Sequence, residues 1–244
     1  MMKREWVWFG GIGLIFLTAF IFSPFSAAGQ YVEIGWQVTG SGEQSGTIET
    51  DINWVDVYAN PDTTYAWTLA STIDVNLGVG IGIAHIDGLS IGVKADPFID
   101  FGFSARSANG ETHFTFISEL LLINPALAAG AEATARATVI TDEEDSVVSG
   151  DFGSKVYRSV YNGGTVFADL VSAPVYEYKK EIAPSRLISS QVSSMQVQWG
   201  LTVSSGGEAS GTSHFQIMGD VIPEPATIAL LGFGGLCLLR KRRA

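Results

Sequence analysis

Cysteine is nearly missing from this chain: Cys237 stands alone in 244 residues, and histidine appears only three times. A single thiol excludes an intramolecular disulfide framework and a cysteine-based zinc cluster. His85, His113 and His214 are too far apart to form a local ligand pair of the H-x-x-x-H kind, so they read as ordinary surface or rim residues. Cations are also few, with 14 Lys and Arg against 25 Asp and Glu, for a formal charge of −11. Phosphate binding depends on Lys and Arg, which excludes nucleic acid as a partner. There is no G-x-S-x-G elbow leading into a helical pattern, and no glutamate pair whose spacing marks a glycosidase. No residue is expected to be catalytic, and the expected protein is non-enzymatic.

The two ends are built differently from the middle. Lys3 and Arg4 precede an apolar run over residues 6–22, and Ser26-Ala27-Ala28 follows as a small-x-small triplet. A basic start, an apolar stretch and a small-residue cleavage site specify a secretory signal peptide over residues 1–28, with signal peptidase as its processing partner. At the other end stand Pro223-Glu224-Pro225, an apolar run over residues 226–239, and the cations Arg240, Lys241, Arg242 and Arg243. Fourteen residues rise only ~21 Å as a helix, against a hydrocarbon core of about 30 Å, so this short membrane helix spans only marginally. The terminal cations stay cytoplasmic and fix orientation. The two prolines lack amide donors and interrupt helix and sheet alike, which leaves the Pro-Glu-Pro stub extended at the membrane surface.

That order of parts at the C-terminus, residues 221–244, resembles the PEP-CTERM protein-sorting tail. The resemblance implies recognition and removal by exosortase, a multi-spanning membrane cysteine protease, during delivery to the cell surface. It further implies transient anchoring in an inner membrane, an envelope with an outer membrane, and exopolysaccharide as a neighbour. It covers the tail alone.

Between the ends, residues 29–220 read as one all-β domain. Residues 29–221 hold 8 of the cations and 23 of the acids, so the exported body carries −15. Apolar and polar residues alternate with period two, as in Thr112-His113-Phe114-Thr115-Phe116-Ile117, between turn signals such as Ser41-Gly42, Asn162-Gly163-Gly164 and Ser205-Gly206-Gly207. The expected fold is an antiparallel β-sandwich of jelly-roll-like type, flanked by the signal helix and the short C-terminal membrane helix. Asn109-Gly110 reads as a type I′ hairpin turn that sets Phe103 opposite Phe116, and His113 opposite Arg106. Asp87-Gly88 reads as a second hairpin, with Ile86 opposite Leu89. Residues 126–139 mix helix-favouring alanines with strict alternation, and the alternation favours a strand. Trp36 and Trp199 read as core.

Two surface features are candidate sites. Asp142-Glu143-Glu144-Asp145 is the best metal candidate, a weak calcium site if a loop converges its carboxylates. Asp96, Asp100 and Glu49-Thr50-Asp51 are weaker. Tyr176 and Tyr178 could present rings to a glycan. The chain is thus expected to be an exported surface or extracellular-matrix protein; a carbohydrate-binding module is the alternative, and a secreted hydrolase or an outer-membrane barrel follows behind.

Overall fold

The computed structural model describes residues 31–76, 83–94, 97–142 and 146–220. The expected signal helix, the sorting motif, the terminal cations and the C-terminal membrane helix lie outside the described residues. Among the described residues no helix is long and apolar enough to cross a membrane.

In chain order the elements are β1 (Tyr31–Thr39), β2 (Glu43–Asn53), α1 (Trp54–Ala59), β3 (Tyr65–Thr68), β4 (Ile73–Asn76), β5 (Ile83–Lys94), β6 (Phe98–Ser107), β7 (Thr112–Ser118), β8 (Leu121–Leu127), β9 (Ala131–Thr141), β10 (Val147–Gly150), β11 (Lys155–Tyr161), β12 (Thr165–Ser172), β13 (Tyr178–Ile182), β14 (Arg186–Ile188), β15 (Val192–Val203) and β16 (Glu208–Met218). They form two antiparallel sheets. Sheet one runs β12-β11-β15-β7-β1-β2, with β8 and β10 also on β15; sheet two runs β13-β9-β16-β6-β5-β3, with β14 on β9 and β4 on β5. The all-β expectation holds.

Alternation decides which side chains go inward. Along β9, Ala131, Ala133, Ala135, Ala137 and Val139 are buried while Glu132 and Arg136 are exposed, so this stretch is a strand; the chain turns at residues 128–130 before it. Across the interior, Phe103 of β6 stacks on Phe116 of β7 at 5.2 Å between centroids and meets Trp199 of β15 edge-on at 4.9 Å. Phe167 of β12 meets Phe215 of β16 at 5.6 Å. Each pair joins one sheet to the other, so a single core closes within residues 31–220. Trp36 and Trp199 belong to it, as expected.

Both predicted hairpins are corrected. The Asn109-Gly110 segment is a corner that carries the chain from sheet two to sheet one. Strand β6 pairs with β5 and β16, and β7 pairs with β1 and β15. Gly110 does adopt the positive φ of +82° that the turn signal implied. Phe103 and Phe116 do meet, but across the core: alternation dictates the inward face and leaves open which strand lies alongside. The corner is tied to the second corner at Ser205-Gly206-Gly207, through Gly110 N–H to Ser205 Oγ at 2.9 Å and Gly206 N–H to Ser107 O at 2.9 Å. Asp87-Gly88 is a β-bulge inside the continuous strand β5, where the register against β6 shifts between Ile86 and Gly88. An extra residue accommodated there bends the strand without reversing it. The residue opposite Arg106 is consequently His85, and His113 lies in the other sheet.

At one edge the two sheets are tied by charge. Lys155 of β11 places Nζ 2.9 Å from both oxygens of Glu181 on β13, and Glu181 Oε2 also accepts the Val171 N–H at 2.7 Å.

Candidate functional site

The outward residues of sheet two fall into rows set by strand register. Lys180, Thr138, Thr212, Gly102, Ser90 and Thr68 are successive partners across six strands. The adjacent row is Ile182, Arg136, His214, Asp100, Gly92 and Ala66. On the other side lie Tyr178, Ile140, Ser210, Ser104 and Gly88. Outward positions in the middle of the sheet are therefore glycine, serine or threonine, apart from the pair His214 and Asp100, and the longer side chains of Arg136, Ile140, Tyr178, Lys180 and Ile182 stand at the β9–β13 rim. The result is a trough: a depression of about 500 Å³ over the first two rows, continued by one of about 240 Å³ toward the third. Its depth depends on Gly102, where a Cβ would come within 2.6 Å of Ser90 Oγ, and on Gly92, where one would press on Asp100 Cβ at 3.3 Å.

The larger part of the trough carries charge of both signs. His214 Nδ1 lies 2.6 Å from Asp100 Oδ1, and its ring sits 5.6 Å from that of Phe98. Arg136 and Lys180 are exposed on the rim. The other two histidines also lean on aspartates, His85 on Asp74 at 2.7 Å and His113 on Asp151 at 3.1 Å. His113 further meets the hydroxyls of Thr202 and Thr115.

A second cluster lies where α1 docks on sheet one. Trp54 Nε1–H donates to Glu119 Oε2 at 2.9 Å, the Glu33 N–H donates to the same oxygen at 3.0 Å, and Trp54 stacks on Tyr58 at 5.7 Å. Burial pushes the Glu119 carboxyl above its ordinary value, with the nearby Glu33 charge adding to the rise. Burial likewise lifts the Tyr58 phenol to about 12, with Glu119 adding, while Tyr58 O–H donates to Leu122 O at 2.8 Å. One carboxylate oxygen spent on two donors fits an anchor for the helix. In the core, burial raises the Tyr157 phenol, with Ser213 and Ser159 opposing the rise, yet its hydroxyl, Trp199 Nε1 and Ser213 Oγ reach no well-formed hydrogen bond among the described residues.

Of the predicted sites, Asp96, Glu143, Glu144 and Asp145 lie outside the described residues. Asp142 is used locally: its Oδ1 accepts the Glu208 N–H at 2.8 Å and Ser146 Oγ–H at 3.0 Å. Among the described residues no group of three His, Cys, Asp or Glu could hold a metal ion. Tyr178 is 59% exposed and Tyr176 46% exposed. Tyr178 extends from β13 on the face that carries Lys180, so it stands on the trough's rim. Sequence reasoning missed Arg136, Lys180 and His214 as a group. The alternation of β9 does mark Arg136 as outward, but its neighbours come from strands β13 and β16, far along the chain.

Residues 221–243 match the PEP-CTERM protein-sorting motif. No curated protein matches the chain. The tail resemblance read from Pro223-Glu224-Pro225, the apolar run and the basic end therefore holds, and the motif supports an exported protein sorted by exosortase.

Proposed function

We propose that this chain is a non-enzymatic cell-surface or extracellular-matrix protein, exported behind its signal peptide, held briefly in the inner membrane and released by exosortase. The observation that carries this reading is the sorting motif at residues 221–243. The body supplies a compact cargo of jelly-roll-like type, in which the ribbon β6–β7 and the ribbon β15–β16 lie side by side and fold together over two corners. A charge of −15 over residues 29–221 keeps that cargo soluble and away from anionic lipid. Replacing Pro223-Glu224-Pro225 by three alanines, in a host that has exosortase, should leave a longer, membrane-held form. Unchanged trimming and release would refute the reading.

The trough on sheet two favours a second reading, a carbohydrate-binding module. Open furrows lined by hydroxyls suit sugar hydroxyl groups, and an aromatic rim offers a face for a pyranose ring. Binding of purified residues 29–220 to a glycan array, weakened by Tyr178→Ala, tests it.

A further inference from the structure

Among the eight cations of the acidic body, six are engaged. Arg106 reaches Asp87, Lys155 reaches Glu181, and Arg158 holds Asp169 with two bonds. Lys179 donates to the Ser172 and Pro174 carbonyls, Arg186 lies over the Phe167 ring, and Lys94 has a partner of its own. Arg136 and Lys180 have no hydrogen bond, ion pair or ring contact among the described residues, and both line the same trough. A body with a large surplus of carboxylates could have paired both. Two unspent cations beside a furrow of hydroxyls select a ligand with negative charge of its own.

We propose that the sheet-two trough binds an acidic polysaccharide, a chain of pyranose rings bearing carboxylates, with Arg136 and Lys180 taking the carboxylates. This inference rests on the carbohydrate-binding reading and adds the charge class of the ligand. Register places the two cations on neighbouring strands and in adjacent rows, since Lys180 faces Thr138 and Arg136 faces Ile182. One cation can therefore take the carboxylate of one ring while the other contacts the next. The planar guanidinium matches a carboxylate with two parallel bonds, and the ammonium contributes a point charge. Ser90, Thr138 and Thr212 offer hydroxyls to the sugar, and Gly92 and Gly102 let the rings settle close to the backbone. Tyr178 and the half-exposed Ile140 supply a flat apolar surface at one end. Favouring a saccharide over an acidic peptide, the floor offers the hydroxyls of Ser90, Thr138 and Thr212 and the bare backbone of Gly92 and Gly102, and its one carboxylate, Asp100, is held against His214 at 2.6 Å.

The test uses residues 29–220, which close their own core, with a defined oligogalacturonate and its fully methyl-esterified form as probes in calorimetric titration. Esterification removes the charge and keeps the ring. The acid should bind at least tenfold more tightly than the ester. The double variant Arg136→Gln/Lys180→Gln should lose at least tenfold in affinity for the acid alone, with an unchanged melting temperature because neither side chain is spent on a fold contact. Binding of the acid should weaken as salt rises, since both cations are exposed. Equal binding of acid and ester, unaffected by the double variant, would overturn the acidic class and leave the carbohydrate reading standing. Binding of neither probe, nor of any member of a broad neutral and acidic glycan array, would overturn both. Self-association abolished by the double variant, with no saccharide bound, would assign the trough to a second copy of the chain and overturn the proposal.

Discussion

Gly211→Ala offers a sharp test of the register between β6 and β16. Gly211 faces the core directly opposite Phe103. A Cβ built on it would lie 2.8 Å from Phe103 Cζ and closer still to Cε1. The ring has little freedom to retreat, because it is stacked on Phe116 at 5.2 Å and meets Trp199 at 4.9 Å. Overpacking a filled core costs about 1–3 kcal/mol, and a ring confined on two sides belongs at the upper end, near ~3 kcal/mol. Phe103→Ala alone should cost ~3–5 kcal/mol by leaving a cavity. The double variant should cost less than the two singles together by at least ~1.5 kcal/mol, because the new methyl then enters space the ring has left. Urea unfolding of residues 29–220 gives all three values. A Gly211→Ala change within ~0.5 kcal/mol of the parent, or strict additivity in the double variant, would refute the packing described.

Three further outcomes are expected. Glu119 has a raised carboxyl in the folded state, so the stability it contributes is fully present below its unfolded value and is lost as pH rises through the folded one. The stability of the parent relative to Glu119→Gln, whose amide carbonyl can accept both donors, should therefore fall between acid and neutral pH in parallel denaturation curves; a difference that is flat or grows with pH would contradict it. Glu181→Ala should cost ~1–3 kcal/mol, because it strands the Val171 N–H and releases Lys155 at the seam between the sheets, and Glu181→Gln should recover part of that in the same unfolding assay. Tyr157→Phe removes a buried hydroxyl that reaches no well-formed hydrogen bond among the described residues, so it should leave the melting temperature unchanged or raise it, and a loss above ~1 kcal/mol would show that Ser213 or Ser159 satisfies it.

The inward faces of this domain were legible in the sequence because period two is a local property. Phe103, Phe116, Trp36, Trp199 and the alternate alanines of β9 could each be assigned to the core from a few neighbours along the chain. The partners of those strands could not. Asn109-Gly110 has the composition of a hairpin turn, and its flanking phenylalanines alternate in phase, yet the same phase arises when the two strands face each other across a core. Asp87-Gly88 failed for a related reason: a residue pair that can reverse a chain can also absorb one extra residue in a strand that continues. In both places the deciding influence is a distant strand, β16 beside β6 and β15 beside β7.

The same distinction separates the C-terminal tail from the trough on sheet two. The Pro-Glu-Pro tail is a linear signal: the sorting motif is matched by the contiguous residues 221–243, so the sequence alone suffices to display it. The trough is a property of a surface. Lys180, Arg136, His214 and Asp100 come from four strands spread over residues 98–218 and become neighbours only once the sheet is paired. Along the chain their neighbours are ordinary strand residues, Ile99 and Phe101, Ala135 and Ala137, Lys179 and Glu181, Ser213 and Phe215, with nothing to single out the group. What distinguishes Arg136 and Lys180 is their lack of a partner among the described residues of a body rich in carboxylates, and that can be seen only after the other cations of the body have been placed.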